Sequence, residues 1–145
     1  MTLPDLPSNG KEAAWLNVVH KLTGIRLLEE GTDTGPGSPD EAIELVCKRG
    51  MPATLRLVEV NIERVRPWRD VVALFLSEPI ESVPRNQFFG EANEGELITR
   101  DNVLWEFSEA GEELLRLISV KAALEHAIAI CDGEWGWRSR TEVGT

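Results

Sequence analysis

Apolar positions recur at helical spacing toward both ends of the chain and at a two-residue spacing in its middle. Near the start, Trp15, Leu16, Val19 and Leu22 form a stripe, Asn9 and Glu12 stand at capping-box distance before it, and Gly24 is placed to end it. This pattern predicts a first helix. Ser38, Pro39 and Glu41 supply three start signals for a second, carried by Ile43, Val46 and Cys47 and closed by Gly50. In TLRLVEVNIERV, Val58, Val60 and Ile62 alternate with Glu59, Asn61 and Glu63, the period of a strand with one wet face. Leu55, Val58, Ile62 and Val65 also match a helix. The apolar run in RDVVALFLSEP suits a buried strand or a buried helix, and its adjacent valines favour strand.

The C-terminal half carries the longest pattern. Glu96 to Arg100 and Val103 to Phe107 are short runs separated by Asp101 and Asn102, residue types that accept a tight turn, so a β-hairpin is expected over about 96–107. Ser108 then suits an N-cap, with Glu109 and Glu112 in a first turn where the helix dipole favours negative charge. Ala110, Leu114, Leu117, Ile118, Leu124, Ile128 and Cys131 continue at three- and four-residue steps toward Gly133 and predict a long helix over about 109–132. The element order favours a single α+β domain over residues 1–145. In it a small antiparallel sheet packs against two N-terminal helices and the long C-terminal one. The Pro-rich leader 1–8, the Gly- and Pro-rich stretch 29–38 and the tail 133–145 are expected as a flexible leader, a mobile loop and a tail.

Charge divides the chain into blocks. The formal net charge is -10 over 145 residues. Lys48, Arg49, Arg56, Arg64, Arg66 and Arg69 face only Glu59 and Glu63, whereas Glu78 to Glu113 holds ten acids against Arg85 and Arg100, a local charge of -8. Nucleic-acid affinity rests on Lys and Arg displacing counterions, so the acidic block disfavours that partner and suits a basic one. The interleaved acids of the basic block point to internal salt bridges. Two cysteines are too few for a disulfide framework, and no apolar run approaches the ~18 residues of a membrane span. A reduced, cytoplasmic setting away from membranes is expected.

Catalytic constellations are hard to assemble from these residues. Asp33, Thr34 and Gly35 spell the tripeptide of aspartic proteases, which needs a hydrophobic strand before it and a second Asp to share its proton; here Glu29, Glu30 and Gly31 precede it and Pro36 follows. His20 and His126 have no partner at metal-ligand spacing, Cys47 shares a face with Ile43, and no cofactor or metal site is expected. Trp135 and Trp137 flank Gly136 beyond the last helix, with Arg138 and Arg140 following, and serve either as a clamp on the core or as an anchor for a partner.

The stretch LITRDNVLWEFSEAGEELLRLI resembles the wing and following helix of winged-helix regulators, with Leu97 to Phe107 as wing and Ser108 to Leu115 as helix start. That resemblance implies DNA binding, with the Lys48 to Arg69 segment on the duplex and the protein acting as a dimer. Such modules place a basic recognition helix before the wing, whereas Glu78 to Glu96 is acidic. The leading expectation is therefore a small acidic protein-binding module: an inhibitor, an immunity-type protein or a nucleic-acid mimic that occludes a basic site on a partner. Its expected contact residues are Glu91, Glu94, Glu96, Asp101, Glu106, Glu109, Glu112, Glu113, Trp135 and Trp137. A small enzyme using surface-cleft carboxylates is the third reading, and oligomeric state stays open, a homodimer included.

Overall fold

The computed structural model describes residues 10–90 and 95–136. It is an α+β chain in which helices α1 (Gly10–Leu22), α2 (Pro39–Arg49), α3 (Met51–Val65), α4 (Trp68–Ser77), α5 (Asn86–Phe89) and α6 (Arg100–Cys131) dominate. Strands β1 (Leu28–Glu29) with β2 (Thr32–Asp33), and β3 (Ser82–Pro84) with β4 (Leu97–Thr99), form two small antiparallel sheets rather than the single one that the sequence pattern predicts. The chain divides into two compact units, Met1–Asn61 with Arg116–Thr145, and Ile62–Leu115.

In the first unit, α2 begins as its sequence dictates. The Glu41 amide donates to Ser38 Oγ at 3.2 Å, and Pro39 occupies a position whose amide would have had no helical partner. Gly50 ends it with φ +84°, and its amide donates to the Val46 carbonyl at 2.7 Å before α3 starts one residue later. Of the stripe expected on α1, Val19 and Leu22 are buried, joined by Ala14 and Val18, while Leu16 is exposed.

The strand expected around Val58 to Ile62 is helix instead. Met51, Thr54, Leu57, Val58, Asn61, Ile62 and Val65 are buried, a three- and four-residue rhythm, and Val60 points outward. The alternation misled because it assigned Asn61 to the wet face with Glu59 and Glu63. Asn61 is fully buried, and its side chain completes β1: Oδ1 accepts the Leu28 amide at 2.8 Å, and Nδ2 donates to the Leu28 carbonyl at 3.1 Å. The same Nδ2 donates to the Leu57 carbonyl at 2.9 Å.

The stretch expected as a loop at 29–38 holds much of that hairpin. Leu28 pairs with Asp33 and Glu29 with Thr32. The Thr34 amide donates to the Leu27 carbonyl at 2.7 Å, the Gly24 amide to the Pro36 carbonyl at 2.8 Å, and Arg49 forks onto the Glu29 carboxylate. Asp33, far from protease geometry, accepts the Gly35 amide on Oδ1 at 2.9 Å, an Asx turn.

The second unit is organised around Val71, Phe75, Val83, Ile98 and Val103, with Trp68, Phe88 and Phe89 partly buried against them. The run in RDVVALFLSEP, expected as strand, is helix α4, which buries Val71 and Phe75 four residues apart. The hairpin expected at 96–107 does not form: β4 pairs with β3, Val83 opposite Ile98, and Arg100 onward is helix. No wing therefore exists at 97–107. The physical reason lies in phase, since Val103 stands seven residues before Ala110 and Ala110 seven before Leu117, all buried. The helical stripe thus runs back through Ser108, and Asp101 takes a first-turn position favoured by the dipole. Arg100 closes the C-terminal end of α4 by donating to the carbonyls of Phe75, Glu78 and Ile80 at 3.2, 2.9 and 2.8 Å.

Candidate partner-binding face

Several of the expected contact residues are committed inside the chain. In the second unit Glu106 accepts from Arg85 Nη2 at 2.7 Å, Glu96 lies 3.1 Å from Arg85 Nε, and Glu113 accepts from Arg64 Nη2 at 2.8 Å. The Arg85 guanidinium also lies over the Trp68 ring, 5.5 Å from its centre. Of these pairs, Arg64 with Glu113 joins the basic block to the acidic one, as the interleaving suggested, whereas Arg85 with Glu96 and Glu106 lies within the acidic block. In the first unit Arg49 holds Glu29, and that hydrogen bond keeps the Glu29 carboxyl below its ordinary range.

Trp135 is committed too. Its ring meets Trp15 edge-on at 6.1 Å, its Nε1 donates to Cys47 Sγ at 3.3 Å, and Trp15 Nε1 donates to the Glu134 carbonyl at 3.3 Å. Cys47 is half-buried beneath this pair, whereas Cys131 is buried and desolvation pushes its thiol upward. Glu91, Glu94 and Trp137 lie outside the described residues.

Asp101, Glu109 and Glu112 remain. All three are exposed on α6, and none takes part in an ion pair among the described residues. The residues beside them were not foreseen: Leu104, Trp105 and Leu115 are 67%, 68% and 70% exposed. At about 100° per residue, Leu104, Ser108, Gly111 and Leu115 fall within about 60° of one another. Asp101, Glu112 and Trp105 border that line on one flank, and Glu109 lies beyond them. Val103 and Ala110, about 100° around the helix from Leu104 and Gly111, are buried. The second unit thus presents an apolar helix face with an acidic edge. Assigning 103–107 to a strand hid it, although the spacing from Leu104 to Leu115 is visible in the sequence once Ser108 is placed inside the helix.

The first unit offers a different surface, an open groove of about 700 Å³ lined by Ala13, Leu16, Asn17, Val19, His20 and Pro39. Its lining is mostly apolar. Among the described residues no group of three His, Cys, Asp or Glu side chains could hold a metal ion, and no helix is long and apolar enough to cross a membrane. Comparison with protein-family models, with curated proteins and with solved structures finds no significant match.

Proposed function

We propose that this protein is a binding module whose α6 face docks a positively charged partner protein and covers a basic site on it. The observation that carries this reading is the exposure of Leu104, Trp105 and Leu115 beside three acids that have no ion-pair partner among the described residues. Large apolar side chains are costly to leave in water. Covering the exposed two-thirds of Trp105 alone is worth roughly 3 kcal/mol at ~25 cal/mol per Å², before the cost of ordering the complex is subtracted. Asp101, Glu109 and Glu112 would add steering, so association should slow as salt rises.

A pull-down from native lysate, run at low and high salt with the wild type and a Trp105→Ala/Leu115→Ala variant, tests the proposal. A partner retained by the wild type, weakened by salt and lost with the variant is expected. Identical retention by both proteins would remove α6 as the binding surface.

A further inference from the structure

The acidic apolar face also carries information about the shape of what it receives. Leu104, Ser108, Gly111 and Leu115 follow one another at intervals of four, three and four residues, the spacing of a seam that faces a second helix. The seam is about 16 Å long, three turns, and its ends are bulky while its middle is small. Gly111 stands near that middle. Glycine is the poorest helix former apart from proline, yet a Cβ built at Gly111 meets nothing within 4 Å. Intramolecular packing therefore gives no reason for glycine here, and a missing side chain on an outward helix face lets another backbone approach closely.

Charge selects among the occupants such a seam could take. A second copy of this chain would bring the same acidic border, Asp101 and Glu112, to the seam, and like charges placed together disfavour association. Nucleic acid and anionic lipid are repelled for the same reason. A helix with lysines or arginines along its flank satisfies both the apolar seam and its acidic border.

Building on the binding role proposed above, we infer that the partner element is a cationic amphipathic helix. It lies along Leu104, Ser108, Gly111 and Leu115, with its closest approach at Gly111. The probe is a fluorescently labelled synthetic peptide of leucine and lysine in a heptad pattern, compared by anisotropy with a shuffled peptide of identical composition.

The patterned peptide is expected to bind the full-length protein at least about tenfold more tightly than the shuffled one. Gly111→Leu should abolish that preference by filling the notch while leaving the weak, charge-driven binding of the shuffled peptide unchanged. Because leucine favours helix, Gly111→Leu should not lower the thermal midpoint, which separates lost binding from lost folding. Equal affinities for the two peptides would overturn the helical occupant but leave a basic partner in place. Unchanged binding by Gly111→Leu would overturn the close approach, and failure of both peptides to bind at low salt would remove the docking face itself.

Discussion

Gly35→Ala tests whether space, rather than backbone freedom, fixes the residue in the turn before α2. A Cβ at position 35 would lie 2.1 Å from the Ile25 carbonyl oxygen, 2.9 Å from the Leu27 nitrogen and 3.1 Å from the Arg26 Cα. All three are backbone atoms, so no side chain can swing aside. Relief requires the two strands of chain to separate by more than ~1 Å, and the bonds from Gly24 to Pro36 and from Thr34 to Leu27 span that gap. Losing two such bonds costs about 2 kcal/mol, overpacking costs about 1–3 more, and the reduced freedom of the unfolded chain returns about 0.4–1. The net is a destabilisation of about 3 kcal/mol, or a fall in thermal midpoint of about 6–12 °C for a chain of this size.

Urea and thermal unfolding followed by far-ultraviolet circular dichroism measure this directly. Gly37→Ala is the control, because its Cβ would make only an ordinary 3.8 Å contact with Glu41 Oε1. It should unfold within about 0.5 kcal/mol of the wild type. Should the two alanine variants unfold together, the steric account of Gly35 is wrong.

Asn61→Ala leaves the Leu28 amide and carbonyl without their side-chain partner and should destabilise by about 3 kcal/mol, with the Leu28 amide losing its protection in hydrogen exchange; retained protection would contradict the role given to Asn61. Glu29 has a carboxyl lowered from the usual 4.5 by its hydrogen bond from Arg49, so it contributes stability above that value that is lost as pH falls through the lowered one. Glu29→Gln should accordingly flatten the acid limb of a pH series of urea midpoints, and parallel curves would refute the assignment. Burial pushes the Cys131 thiol up and holds it protonated, so Cys47→Ser protein should show no free thiol to a disulfide reagent at neutral pH while folded and one after denaturation.

Much of the first unit was legible because its signals are local. Ser38, Pro39 and Gly50 act on their own backbone neighbours, and α2 starts and stops where they stand. The errors arose where a short pattern fitted two periods. Val58, Val60 and Ile62 satisfy a strand, but Thr54, Asn61 and Val65 decide for helix, and the burial of Asn61 depends on Leu28, more than thirty residues earlier. At 101–107 the turn chemistry of Asp101 and Asn102 was overridden by the phase of Val103 with Ala110 and Leu117. That override moved the candidate site. Trp105 and Leu104, read as hairpin residues, became the exposed part of a helix, while Glu106 and Glu113 turned inward to arginines whose distance along the chain no local pattern reveals.

Asn61 has a consequence for association as well as for stability. An edge strand exposes a row of free amides and carbonyls that can template the addition of a foreign strand. On β1 the outward amide and carbonyl of Leu28 are both occupied by one carboxamide held on a helix, a side chain standing where a neighbouring strand would otherwise add. The small sheet is thereby stopped from growing at that edge. A protein that exposes an apolar helix face in one unit has, at this edge in the other, closed a route to unspecific aggregation.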